Sequence, residues 1–379
     1  MTASIAVVGV GGAGSRIAGK AAVGLGRQAH VAAVNTDARE LDSATCPVKI
    51  QIGRARTGGL GAGGAPGMGR LAVEDDLATV REILLDRDIV MVVAGLGGGT
   101  GSGATPAILR AASEAGAVAV AVVTLPFAFE GPERQDVAND ALRSVREAAD
   151  TVIVVANDRL LEATGQTAVR ACFEQADDIL GRSMATLGNL VSMPGYIRLD
   201  IADLREMAKR SGDTCSLGFG EASGPDRTRR AIEMALQGTM LEQGRLVSGA
   251  AALLIGIVGG EDLAVQEVGR VMEAVAASRG KESQTFMGTH IDPNLVDTVR
   301  LLVLVSEHWD REVPQPAAAA ETPAAGKPAR RSSRARAKST QPTLALGVGG
   351  RGRFKNVEPT ILDGEDVDVP TFLRRGIRL

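Results

Sequence analysis

Three glycine-rich stretches hold the residues whose types and spacing could do chemistry. The first, Gly9-Val10-Gly11-Gly12-Ala13-Gly14, closes an apolar run at residues 4–10. Phosphate oxygens need several backbone N–H donors converging on them. Glycine permits the angles and the close approach, and a helix N-terminus adds partial positive charge. The second stretch runs from Gly95 to Gly103, with six glycines in nine residues and the hydroxyls of Thr100 and Ser102. Ordering so many glycines costs backbone entropy, a cost that a bound ligand would offset. The third, Gly58 to Pro66, has the composition to close over a terminal phosphate. Together they suggest a nucleoside triphosphate cradled by backbone. A near match to a P-loop, Gly14 to Lys20, fails because Ala21 stands where Ser or Thr must bind Mg²⁺. Alone, the first stretch also fits a dinucleotide fingerprint, with Asp37 near the place of a ribose-binding acid. That dehydrogenase reading leaves Gly97 to Gly103 unexplained.

These loops need a frame. Short apolar runs at 4–10, 30–34, 88–95, 117–124 and 151–155 read as buried strands. Helical patterns at 15–22, 66–87 and 105–115 alternate with them. The alternation predicts an α/β fold with a parallel, doubly wound, Rossmann-like sheet. A long helix is expected at 169–190, with Gly181 and Gly188 inside it. Runs at 250–258, 284–288 and 298–305 read as strands of a smaller α/β second domain. Residues 312 to about 362 are rich in Ala, Pro, Arg, Ser and Gly, a composition that reads as a disordered linker.

Composition narrows the class. The 379 residues are 45% apolar, with seven Phe, one Tyr and one Trp, so the core must be aliphatic. No apolar run reaches the roughly 18–20 residues that span a bilayer, and no secretory leader is read at the N-terminus. Cys46, Cys172 and Cys215 lack metal-ligand spacing and read as buried thiols. The three histidines are scattered, and no protein-held metal site is expected. These features point to the cytoplasm. The net charge of −3 hides a basic segment: no acid lies between Glu321 and Glu358, against nine Lys and Arg.

In Gly97 to Gly103, GGGTGSG, the sequence resembles the signature loop of the tubulin/FtsZ GTPase family. Further matches follow in the family's order: Val34 to Asp37, Gly59 to Pro66, Pro126 to Gly131, Asn157 to Leu161, Leu199 to Asp203, and Gly220 to Gly224. The end, Asp368 to Arg375, resembles the tail peptide of the bacterial division protein FtsZ, which tubulins lack. The resemblance implies a GTP-binding domain (1–168), a central helix (169–192), and a GTPase-activating α/β domain (193–310). A basic linker (311–362) and a partner-docking peptide (363–379) would follow. It implies GTP/GDP with Mg²⁺, and phosphates held by Gly11, Gly12, Ala13, Gly14, Ser15 and Arg16 and by Gly97, Gly98, Gly99, Thr100, Gly101, Ser102 and Gly103. Ala62 and Gly63 would lie near the γ-phosphate, Glu130 and Arg134 beside the ribose, and Asn35 and Asn157 within the site. Asp178, or its neighbour Asp177, would accept from the guanine. Asp200 and Asp203 would reach the nucleotide of the next subunit, so that hydrolysis is completed in a head-to-tail polymer. Self-assembly, a ring at the division site, and division proteins and membrane anchors on the tail peptide are the implied partners and place. The basic linker would act as a tether or touch anionic lipid or nucleic acid.

Two positions depart from the family pattern. Arg198 and Arg16 stand where members usually carry Asn. Arg198 would either stabilise phosphate charge or displace an ordered water, and Arg16 would stack on guanine or swing to a phosphate. A nucleotide-binding filament with weak hydrolysis therefore stands as the alternative to a polymerising GTPase.

Overall fold

The computed structural model describes residues 3–26, 29–164, 168–193, 195–210 and 214–307, with 361–362 and 365–366. The first half runs β1 (Ile5–Val10), α1 (Gly11–Leu25), β2 (Ala29–Asn35), α2 (Ala38–Ser43), β3 (Val48–Gln51), α3 (Arg54–Thr57), α4 (Pro66–Asp75), α5 (Leu77–Leu84), β4 (Ile89–Gly95), α6 (Gly99–Glu114), β5 (Val118–Leu125), α7 (Pro132–Arg146) and β6 (Thr151–Ala156). Then come α8 (Asn157–Thr164), α9 (Val169–Ser192), α10 (Ile201–Arg210), β7 (Thr214–Ser223), α11 (Arg227–Leu236), α12 (Arg245–Ser248), β8 (Ala252–Gly259), α13 (Val265–Ser278), β9 (Gln284–Ile291) and β10 (Thr298–Glu307).

Strands β1 to β6 are parallel in the order β3-β2-β1-β4-β5-β6. The winding reverses between β1 and β4, which opens a crevice at their carboxyl ends. The three strands read as a second domain, β8, β9 and β10, continue the same ten-stranded sheet together with β7, which was not expected, in the order β7-β10-β8-β9. The join is narrow: β7 meets β6 through Val152–Thr214 and Ile153–Cys215.

Side-chain alternation builds a core on each face. Ile5 and Val7 pack with Ile17, Leu180 and Met184 from α1 and α9. Ala6, Val8 and Val10 pack with Val80, Leu84, Ile108 and Leu142 on the other face. Burial on both faces is why these strands read as unbroken apolar runs. The first cluster continues through α9 to Leu254, Leu302 and Leu304, so one helix lies under both halves of the sheet. Gly181 and Gly188 do not interrupt α9; they bring it onto α1. A Cβ at 188 would lie 2.6 Å from Leu25 Cδ2, and one at 181 would overlap the Lys20 side chain.

Three expectations shift. The helix expected at 66–87 is two, because the Asp76 carboxylate leaves the helical path to accept the Gly53 N–H at 2.6 Å. The helices expected from 15 and 105 begin at Gly11 and Gly99, since the glycines themselves wind into the first turns. All three cysteines are buried, and burial pushes the Cys46 thiol up to about 11. Most of the basic linker and the tail peptide lie outside the described residues. Separately from residues 1–313, β11 (Ile361–Leu362) pairs antiparallel with β12 (Glu365–Asp366).

In the second half of the sheet, buried Arg227 donates to both oxygens of Glu267, at 2.9 and 2.7 Å, and also binds Asp262. Arg227, then hydrogen bonds from Thr228 and the Ala264 N–H, hold the Glu267 carboxyl down to about 2 against the opposing effect of burial. Its stabilising contribution is therefore complete above about pH 4.3, the unfolded value, and lost as pH falls toward 2. Arg227→Met strands a buried carboxylate and should cost about 3–5 kcal/mol. Urea unfolding at pH 7 and pH 3 checks both the loss and a weaker acid dependence in the variant.

Candidate functional site

The crevice is defined by three helix starts that no side chain caps. Helices α1, α4 and α6 begin after Val10, Ala65 and Gly98, and none has a capping side chain or an acid in its first turn. Each such start leaves backbone N–H groups without intrahelical partners and carries the positive end of the helix dipole. By contrast, Asp37 caps α2, accepting from the Arg39 and Glu40 N–H groups. The acid expected at a ribose in the dehydrogenase reading is thus spent on a helix start.

Packing brings the three starts together. Gly11, at φ +73°, lets the first loop approach the second: a Cβ there would lie 3.3 Å from Gly101 N. A Cβ on Gly103 would overlap the Pro66 carbonyl oxygen, which fixes α4 against α6. Ala62 and Ala65 lie over Gly99, while Gly63 and Gly98 face open space. Gly12, Ala13, Gly14, Ser15 and Arg16 form the first turns of α1. Ser15 is buried, and Ser102 Oγ accepts the Gly97 N–H at 2.9 Å, so that hydroxyl shapes the loop from within.

The rim is built by pairs. Asn35 ends β2 and donates from Nδ2 to Glu40 at 2.9 Å. Buried Thr36 shares a 2.7 Å hydroxyl–hydroxyl bond with Thr100, tying β2 to α6. Glu130 accepts the Phe127 N–H and pairs with Arg134, whose carbonyl abuts Gly97. Asn157 opens α8 at the end of β6. Thr36 and Glu40 were not singled out from the sequence; the run Asn35-Thr36-Asp37 was the only signal for them.

The neighbouring acids of α9 separate. Arg16 Nε donates to Asp177 at 2.7 Å, with the arginine side chain 51% exposed and the carboxylate 11%. Burial raises the Asp177 pKa, and the Arg16 bond opposes that rise. Asp178 instead binds Arg182, with Lys20 at 3.7 Å. Asp177 is therefore the acid held beside the start of α1.

Asp200 and Asp203 stand elsewhere. The Asp203 carboxylate accepts the Asp200 N–H at 2.8 Å at the start of α10. That helix start shares a shallow cavity with Asp88, Gly116 and Val118, at the amino ends of β4 and β5. The glycine loops leave the carboxyl ends. Seven-residue β4 separates the two by about 20 Å.

Two family models match the chain. Residues 4–165 match the GTPase domain of the tubulin/FtsZ family, and residues 213–308 match the FtsZ family C-terminal domain. The chain belongs to the tubulin/FtsZ GTPase family. It is 38% identical over 302 residues to cell division protein FtsZ 1 of Archaeoglobus fulgidus, covering 80% of this chain and 81% of that one. It is 39% identical over 305 residues to FtsZ of Methanothermobacter thermautotrophicus, covering 80% and 79%. Among solved structures, an empty FtsZ dimer from M. jannaschii superposes with a TM-score of 0.75 at 32% identity, covering 84% and 96%. These relatives are archaeal, whereas the resemblance was drawn to the bacterial protein. A GTPase domain of this family implies binding of GTP and GDP.

The packing separates two glycines by their duties. Gly103→Ala should cost about 2–4 kcal/mol of stability, because neither backbone can give way. Gly98→Ala, whose methyl meets open space, should cost under about 1 kcal/mol. Urea midpoints of the two variants test the distinction.

Proposed function

We propose that this protein binds and hydrolyses GTP, assembles head to tail, and forms the filament ring on the cytoplasmic side of the division site. The observation that carries the reading is the meeting of three uncapped helix starts in one crevice. In this reading residues 1–168 bind nucleotide, 169–192 link, and 193–310 complete the site of a neighbour. Backbone N–H groups of Gly11 to Arg16 and Gly97 to Gly103 hold the phosphates, and Ala62 and Gly63 lie over the terminal one. Glu130 and Arg134 flank the ribose, with Asn35 and Asn157 on the rim. Asp177, oriented by Arg16, accepts from the guanine, and Asp178 supports it through Lys20. Mg²⁺ would be carried on phosphate oxygens and water.

Asp200 and Asp203 cannot serve their own chain's nucleotide across about 20 Å of strand. A copy stacked along the strand direction would bring them to it. Asp200 then orients the water that attacks the γ-phosphorus. A relative supports the polymer: CetZ2 of Haloferax volcanii, 26% identical with a TM-score of 0.66, was solved as a GTPγS-bound protofilament. The tail peptide would dock division proteins and membrane anchors, and the basic linker would give weak contact with anionic lipid or nucleic acid.

Light scattering and phosphate release in one sample test the reading. Scattering should rise on adding GTP with Mg²⁺ and decay as phosphate appears; no response to GTP would overturn it. Asp200→Ala should keep nucleotide binding and slow phosphate release about 100-fold. Asp203→Ala should add a loss of about 1 kcal/mol, because it also removes a helix-start bond.

A further inference from the structure

The segment before α10 is strapped to β9 at alternate residues. Gly195 packs so closely on Thr289 that a Cβ would overlap its carbonyl oxygen. The Thr289 N–H donates to the Ile197 carbonyl at 2.9 Å, and the Ile197 N–H donates to Thr289 Oγ1 at 3.2 Å. Leu199 is buried, its Cβ 2.8 Å from where a Gly288 Cβ would stand. Tyr196, Arg198 and Asp200 are exposed, Tyr196 to 93%, and Ile197 is also partly open at 39%. Among the described residues Arg198 makes no hydrogen bond or ion pair, although Asp200 and Asp203 follow within five residues. Arg198 is thus a guanidinium displayed outward on a backbone fixed from both sides.

Charge decides what it is for. Two carboxylates brought against a triphosphate repel it, and the repulsion grows as water is excluded. A planar guanidinium beside them offers paired N–H donors matched to phosphate oxygens. We propose that Arg198 is a catalytic residue supplied by one copy to the triphosphate of the next, where it binds γ-phosphate oxygens and offsets both the acids and the charge developing in transfer. In that step the water oxygen bonds to the γ-phosphorus as the bond to the β–γ bridging oxygen breaks. The electron pair leaves with GDP, the water proton passes through Asp200 to solvent, and inorganic phosphate departs. The assignment rests on the head-to-tail reading above, and it resolves the choice at this arginine in favour of phosphate pairing over displacement of water.

The test uses the full chain and Arg198→Ala, with pelleted polymer and released phosphate measured in the same tubes and GTP affinity measured below the assembly threshold. The expected result is unchanged monomer affinity and a hydrolysis rate per pelleted subunit lower by about 100-fold or more. Arg198→Lys should recover part of it. An Arg198→Ala polymer that turns over at or above the wild-type rate overturns the assignment. If Arg198→Ala does not pellet, Arg198→Gln, which keeps much of the stem, is measured by the same criterion. Failure of both to pellet, with affinity intact, makes Arg198 a contact between copies and also overturns it. Absence of GTP-dependent polymer from the wild-type chain overturns the underlying reading, and the assignment with it.

Discussion

The structure depends on helix starts without side-chain caps gathered in one place. A helix start normally recruits a Ser, Thr, Asp or Asn to cap it, as α2 does with Asp37. Helices α1, α4 and α6 forgo such caps and meet. Alone, that concentration of positive dipole ends is unfavourable, and an anion in the crevice reverses the sign. The meeting requires backbones closer than any Cβ allows, which is why glycine stands where α6 touches Pro66 and where α1 faces Gly101. The aliphatic cores on both sheet faces hold these helices against their mutual repulsion.

Sheet polarity then sets where each function can reside. With β1 to β6 parallel, every carboxyl end opens on the crevice and every amino end lies at the far edge. Helix α10 starts at that far edge. A single chain can therefore cradle an anion at one end and display acids at the other, but cannot join them. In the proposed reading assembly is the step that joins them, and turnover follows contact between copies. Helix α9 shares one core with both halves of the sheet, whereas among the described residues β6 and β7 meet through two residue pairs. A change at the crevice thus has a packed helix, more than a sheet seam, through which to reach the second half.

Much of this was legible because it is encoded in local chemistry. The glycine loops and buried strands read directly, since backbone phosphate sites need glycine and parallel strands need unbroken apolar runs. What escaped depends on tertiary contacts. The break at Asp76 needs the distant Gly53 N–H. Strand β7 carries Gly218 and Gly220, residues that argue against a strand, and both are present because α11 packs onto them. The Thr36–Thr100 bond joins residues 64 apart. The different partners of the two neighbouring acids of α9, Arg16 for Asp177 and Arg182 for Asp178, also depend on tertiary packing.

That separation has a further physical meaning. Asp178 belongs to a chain of alternating charges: Lys20 on α1, Asp178 and Arg182 on α9, Glu221 on β7, and Arg300 on β10. Each member is partly shielded, so removing one leaves its neighbours poorly compensated. Among the described residues Asp177 forms its one ion pair with Arg16. An acid bound into such a chain is costly to recruit for a ligand, because its partners must find new ones. An acid held by one half-exposed arginine costs less to recruit, and that arginine keeps further N–H donors to turn toward whatever the carboxylate accepts from. In the proposed reading the base-reading role therefore goes to Asp177 with Arg16, while the Asp178 chain ties α1 and α9 to the second half of the sheet.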